Sequence, residues 1–542
     1  MSLVCEERVN RLRKNVLVVL GLLCAVSMLA GLLGGCGPNG PGAVSPSHSD
    51  VEPMTLHIYL FNGEPEGLDR ILEEFYSRTR DTLNITLDFH FLPSVDYKQM
   101  LQMQLSASAD MDLVFDAGWM TNNTLVSQGR YHDLEEYFNH DNYPGLKKAF
   151  PEDVLNANKM YGHLYWIPMW GAYEDMKGVA IRKDIREALG IDPIMSDEQL
   201  WDYLEAVQRE RPDLTPLELG RKGFYNWFDS NQYAKNKAGI YEPQGTGNMQ
   251  LYWDVAISAD GKTVLGATTY GDSDEAFASY PEGFQYDFYT ERFEQMQRWN
   301  RFLSPDSIAS AMNGGVGVDP SGNAATLTTL SGMSELRNAA DRGGYEVEFY
   351  PLYKEQRELV PGAKYTDYKA NNFVAIPATV PIERVERIMQ FLDWLYASQE
   401  NNDLFLFGIE GVDWENPGDQ TFTRLSDYQW PGYELGLNLM YARSPDNLTE
   451  MEQKYGDYAM DEMYSRSLLT GFVYDPSGVK SELAAINDIY AEIWFPLFHG
   501  TLEDLEGTLT EYHSRAEAAG LEKVRSNLIE QVQEFLYEQN HD

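Results

Sequence analysis

Residues 55–116 constrain the fold most, because the hydrophobic period there switches repeatedly between that of a strand and that of a helix. In 55–61 (TLHIYLF), Leu56, Ile58 and Leu60 alternate, as in a strand with one buried face. Asn62 and Gly63 supply a turn, and Leu68, Ile71, Leu72, Phe75 and Tyr76 then recur at helical spacing. A second strand is read at 84–92 (NITLDFHFL), a second helix at 95–109 around Met100, Leu101 and Leu105, and a short buried strand at 112–116 (DLVFD). Strand, helix, strand, helix, strand predicts a doubly wound α/β lobe with a largely parallel sheet, since parallel neighbours need a crossover long enough to hold a helix. Such sheets hold ligands beyond the carboxyl ends of their strands. That rule singles out Asn62 and Glu64 after the first strand, and Asp116, Trp119 and Met120 after the third. A plain turn at Asn62 and edge packing at Trp119 are the alternatives.

Further along, 162–173 (GHLYWIPMWGAY) concentrates aromatics around Pro168, and 177–184 (KGVAIRKD) reads as a strand running into a helix. Asp260-Gly261 marks a hairpin turn. The segment 371–397 reads as a strand, a proline-bounded turn and an amphipathic helix with Ile388, Phe391, Leu392 and Leu395 on its apolar face. The tail, 503–539, is mostly helical. Motifs of catalysis are missing: no glycine-rich phosphate loop, no H-E-x-x-H, no G-x-S-x-G, and no close histidine spacing of a zinc site. Asp272-Ser273-Asp274 resembles the start of a calcium loop but lacks the glycine and distal glutamate. No cofactor is therefore expected, a structural calcium being the one alternative.

The three cysteines, Cys5, Cys24 and Cys36, all fall at the front of the chain. There Arg8, Arg11, Arg13 and Lys14 precede an uncharged apolar run, 16–33, which ends in Leu33-Gly34-Gly35-Cys36. A basic, an apolar and a small-residue region in that order describe a secretory signal, and an uncleaved membrane anchor is the other reading. The small residues before Cys36, with Leu33 three positions ahead, resemble a bacterial lipobox. That implies cleavage before Cys36 and its acylation, with 1–35 as signal peptide. Residues 36–53, rich in Gly, Pro and Ser, read as a flexible tether. The formal charge is −42. Removing four bases and two acids (Glu6, Glu7) with the leader leaves about −44, which argues strongly against nucleic acid and anionic lipid as partners because both need basic patches.

Several segments together carry a family resemblance: 128–138 (QGRYHDLEEYF), GHLYWIP, AIRKDI, NNFVAIPATV with ERVERIMQFLDWLYAS, 404–414 (LFLFGIEGVDW) and 518–536 (AAGLEKVRSNLIEQVQEFL). Their order resembles the extracellular solute-binding proteins of bacterial ABC importers, family 1, the sugar-type group that includes maltose-binding protein, in its long lipoprotein branch. The resemblance implies an α/β two-lobe, periplasmic-binding-protein-like (Venus-flytrap) fold with hinge crossings and a helical C-terminal tail. It places lobe 1 at 54–169 plus 370–425, and lobe 2 with the tail at 170–369 plus 426–542. It implies a monomeric, lipid-anchored receptor outside the cytoplasm that captures a solute, an oligosaccharide above all, and hands it to permease subunits without chemistry. A carbohydrate-active enzyme and a sensor subunit are the alternative functions. The candidate ligand residues are Asn62, Glu64, Asp116, Trp119, Trp170, Tyr173, Trp227, Glu410, Trp414 and Trp430. Aromatic faces among them would stack on sugar rings and polar tips would meet hydroxyls. Trp414 carries a structural reading as well, as does Glu410, which would cap a helix or pair with a base. Trp166, Trp253, Trp394 and Trp494 lie in apolar patterns and read as core.

Overall fold

The computed structural model describes residues 51–540 except 62, 108–109, 121, 172–175, 229–231, 244–251, 313–319, 367–369 and 419. Cys36, the leader and most of the tether lie outside the described residues, as do Asn62 and Tyr173. The strands of the two main sheets are β1 (Met54–Leu60), β2 (Ile85–Phe91), β3 (Leu113–Ala117), β4 (Ile167–Pro168), β5 (Lys177–Arg182), β6 (Thr215–Glu218), β7 (Asn323–Thr329), β8 (Val347–Pro351) and β9 (Asn372–Ala375). Helices α1 (Leu68–Thr79) and α2 (Ser94–Ser106) join β1 to β2 and β2 to β3. After β9 come α3 (Ile382–Ala397) and α4 (Gln399–Leu406), and later α5 (Glu450–Asp461), α6 (Lys480–Phe498), α7 (Leu505–Ala518) and α8 (Leu521–Gln539).

The first sheet has the order β2-β1-β3-β9-β4. β1 pairs in parallel with β2 and β3, as the alternating periods require, while β9 runs antiparallel to β3 and β4 because the chain re-enters the sheet from the opposite direction. Leu56, Ile58 and Leu60 are fully buried on one face of β1. Against that core α1 sets Ile71 and Phe75, and the Phe75 ring meets Trp394 edge-on at 4.9 Å. The predicted apolar face of α3 is fully buried.

The second sheet, β8-β5-β7-β6, is mixed: β5 is antiparallel to both neighbours and β6 is parallel to β7. The predicted hairpin is present, with the strands Asp254–Ile257 and Val264–Thr268 pairing around Gly261, whose φ is +71°. The tail is part of this lobe's core. Leu521, Val524, Leu528, Val532 and Leu536 of α8 are at most 1% exposed and pack with Val179, Ile181 and Phe293.

Two main hydrophobic cores result, each with its own sheet. The chain leaves the first core after Met169 and joins the second by Val179. It is still in the second at Leu352 and back in the first at Phe373. The last crossing falls later than the expected boundary at 425. Tyr428, Trp430, Leu435 and Tyr441 pack in the first core, and Leu448 packs beside Ala180 and Met333 of the second sheet. Sequence places a boundary at a polar loop, but here the loop's aromatics fold back under β2.

Within 272–274, the segment that resembles the start of a calcium loop, Asp272 is paired with side chains of the tail. Asp272 is 4% exposed, receives both terminal nitrogens of Arg525 at 2.7 and 2.8 Å, and lies 2.9 Å from His513 Nε2. Burial opposes its ionisation, but the His513 and Arg525 hydrogen bonds outweigh that and hold its carboxyl below the usual range. Asp272 latches the tail to the second lobe.

Candidate functional site

The carboxyl ends of β1, β3 and β4 in the first sheet and of β7 and β8 in the second converge on one short stretch of chain. Met169, just past β4, donates its N–H to Asn372 O at the start of β9. Eight residues further on, Leu352 N–H binds Lys177 O, and Leu330 N–H binds Met176 O, which brings the ends of β8 and β7 to the start of β5. Both sheets thus point their carboxyl edges at the crossings, the position where open α/β sheets bind ligands.

Trp119 stands on the first lobe's edge, 39% exposed. Its Nε1 donates to Asn372 Oδ1 at 2.8 Å, and its ring meets Phe61 edge-on at 5.5 Å. Gly118 N–H binds Asn371 O, so the loop after β3 is stitched to the chain entering β9. The ring is held by its nitrogen and one edge. That is a preorganised platform, in which little rotamer freedom remains to be lost on stacking. Trp170 is half-buried in the first crossing, where it bridges to Asn438. Glu64 is exposed after β1. Tyr433, 40% exposed, and the fully buried Glu434 lie in a loop docked onto the same edge, Glu434 Oε2 accepting the Phe61 N–H at 2.5 Å. On the other side of the crossings Thr329 Oγ1 and Ser331 Oγ lie 3.2 Å apart at the end of β7, and Gln429 Nε2 reaches Glu335 Oε1 at 2.9 Å from first lobe to second.

Other candidates are placed elsewhere. Asp116 is fully buried; one oxygen takes the Ala117 N–H and the other the Tyr131 hydroxyl, at 2.7 and 2.8 Å. Burial, and after it the Asp116 carboxylate, holds the Tyr131 phenol well above its usual pKa and keeps it a donor. The expected role of Asp116 as acceptor for ligand hydroxyls does not fit this burial, because every position of β3 is buried and no face is left for solvent. Trp227, 5% exposed, sits in the second core with its ring centroid 5.4 Å from Trp299. Trp430, 7% exposed, donates to Leu435 O at 2.6 Å and packs on Phe89 and Phe405. Both are core residues rather than exposed stacking faces.

The GIEGVDW loop is a self-contained brace. Gly408 and Gly411 have φ of +94° and +80°, which only glycine adopts without strain. Asp413 accepts the Ile409 N–H at 2.9 Å and the Ser426 hydroxyl at 2.6 Å, and is ion-paired with Arg70 at the start of α1. Trp414 is 3% exposed, donates to Gly408 O at 3.1 Å and lies under the Arg443 guanidinium at 4.7 Å. Glu410 is exposed on the loop. Sequence reasoning missed Phe61, Asn372, Tyr433, Glu434 and Asn438. The "NN" before the strand at 372 was the available signal, since amides at a strand end commonly satisfy loop backbone and ligand alike.

Comparison with known proteins places this geometry. The N-glycan transport solute binding protein (NgtS) from Streptococcus pneumoniae superposes on 90% of this chain and 100% of its own, with a TM-score of 0.68 at 17% identity. This is the fold of the ABC-transporter solute-binding proteins. An HMO-binding, ABC-transporter-associated solute binding protein from Bifidobacterium longum infantis shares the fold over 90% of this chain and 99% of its own, with a TM-score of 0.54 at 13% identity. In sequence, the polygalacturonan/rhamnogalacturonan-binding protein YtcQ of Bacillus subtilis (strain 168) is 21% identical over 424 residues, 74% of this chain and 75% of its own. A domain of unknown function, DUF3502, matches 468–537, which covers α6, α7 and all but the end of α8, the tail built into the second core of this solute-binding fold. Among the described residues, no helix is long and apolar enough to cross a membrane.

Proposed function

We propose that this chain is the substrate-binding component of an ABC importer. It captures an oligosaccharide between its two lobes, requires no cofactor, and delivers the sugar intact to permease subunits in the membrane. Trp119 carries the reading: it is a half-exposed indole held at the strand-end crevice by Asn372 and Phe61. Flat aromatic faces beside amide and hydroxyl groups suit the alternating apolar and polar surfaces of a pyranose. The solute-binding fold supports it, as do the sugar ligands of proteins that share it. NgtS in complex with Man1GlcNAc and with Man5GlcNAc superposes on this chain with TM-scores of 0.64 and 0.63. In this reading Cys36 is diacylated. Two acyl chains suffice for stable attachment where one is marginal, so the receptor stays on the extracytoplasmic face beside its permease as a single copy.

The test is thermal unfolding of the full chain against a panel of neutral oligosaccharides, acidic oligosaccharides and peptides. A ligand that binds only the folded state adds about 2.7 kcal/mol at a hundredfold excess over its dissociation constant. A midpoint rise of a few degrees with one neutral glycan, recovered unbroken, is the expected result. A rise accompanied by cleavage replaces the receptor with an enzyme, and a rise with peptides alone removes the sugar.

A further inference from the structure

The sequence shows no metal motif, yet strand pairing assembles one on the outer face of the first lobe. In the parallel register of β1 and β2, His57 lies opposite Asp88 and Tyr59 opposite His90. Asp88 and His90 are two apart, so their side chains share a face with His57. His57 Nδ1 is 2.9 Å from Asp88 Oδ2, and His90 Nε2 is 3.2 Å from the same oxygen. One donor atom from each of the three residues lies within 4.8 Å of the others. Ligand atoms at about 2.0–2.1 Å from a tetrahedral zinc stand about 3.3 Å apart, close to these separations. His90 Nε2 is shielded from solvent and has no hydrogen-bond partner among the described residues.

The other nitrogen of His57, Nε2, has the exposed Asp110 carboxylate 3.7 Å away, an electrostatic neighbour beyond hydrogen-bond length. His90 is stacked on Tyr59 at 4.3 Å with an interplanar angle of 14°. Asp112, the other nearby acid, is committed to Arg384 and to the His57 N–H, and is no ligand. Side-chain exposures of 27% for His57 and 46% for Asp88 leave one side open for water.

We propose that His57, Asp88 and His90 bind one zinc-class divalent transition metal. Two imidazoles and one carboxylate select Zn²⁺, Co²⁺ or Ni²⁺ over Ca²⁺ and Mg²⁺, which prefer all-oxygen shells. Because β2 is the edge strand of its sheet, the ion would staple that edge to β1. The proposal does not depend on the proposed import function.

The test is calorimetric titration of the metal-stripped full chain with Zn²⁺, and absorption titration with Co²⁺, whose visible bands report a low-coordinate nitrogen and oxygen shell. One Zn²⁺ per chain is expected, uncompeted by excess Ca²⁺, with affinity falling about tenfold or more in His57→Gln and in His90→Gln. His163→Gln, in the separate Asp133, Glu135 and His163 cluster, should leave it unchanged. Should His57→Gln lose its fold by circular dichroism, the half-exposed Asp88→Asn takes its place. No saturable binding, or binding that survives His90→Gln, overturns the proposal.

Discussion

Tryptophans at four positions of this chain look alike in sequence and do different work. Trp119 is held by a hydrogen bond and one ring edge, with 39% of its surface free. Trp227 and Trp430 are wrapped in aromatic core, and Trp414 is a brace within its own loop. The difference predicts opposite phenotypes. Trp119→Ala should leave the unfolding midpoint nearly unchanged and weaken glycan binding by about 2 kcal/mol, roughly thirtyfold, as loss of an anchoring aromatic does; calorimetry with whichever glycan raises the unfolding midpoint of the parent checks it. Trp227→Ala should cost about 3–5 kcal/mol of stability through the cavity left against Trp299 and Phe224, read by denaturant unfolding. Sequence assigned all of these as candidate stacking residues because exposure is not written in composition. It follows from which strand edge each ring ends on.

Elements are joined by a few buried charges whose pairing no local pattern reveals. Asp403 of α4 and Arg443 lie 2.9 Å apart, each 6% exposed, and Arg443 covers Trp414. Asp403→Ala strands Arg443 in a dry site and should cost about 3–5 kcal/mol, measurable as a lower denaturation midpoint with the glycan site intact. The tail latch adds a pH dependence. The Asp272 hydrogen bond raises the His513 pKa above 6.5, helped by Glu517 and opposed by burial and Arg525. The protonated form is thus the one the fold stabilises. Its contribution is full below the unfolded value of about 6.5 and fades as pH rises through the folded value. The stability gap between the parent and His513→Gln should therefore be wide at pH 5.5 and narrow at pH 8.5; thermal scans at both values decide it. The expected helices of 382–397 and of the tail were legible because their apolar positions repeat at helical spacing. The latch was not, since Asp272 and Arg525 are 253 residues apart.

Over the whole molecule, the two cores and the crossings between them make the tail indispensable to one lobe only. Ending the chain at 467 removes α6–α8, and with them the core residues Ile486, Leu497, Leu528 and Val532, each at most 1% exposed, which uncovers Tyr270 and Phe293 of the same core. The second lobe should then lose cooperative unfolding while the first, whose core draws on none of these residues, keeps a protease-resistant fragment detectable by limited proteolysis. By itself the sequence determined the α/β class, the run of strands and helices through 55–116, the amphipathic α3, and the hairpin at Asp260-Gly261. These rest on periodicity and turn chemistry, which act between near neighbours. Only the tertiary structure decided that β9 enters antiparallel, that 428–441 belong to the first core, that Asp116 faces inward while Trp119 faces out, and that His57 meets His90. Those are contacts between residues far apart in the chain, chosen by which buried faces fit together, and no local spacing encodes that fit.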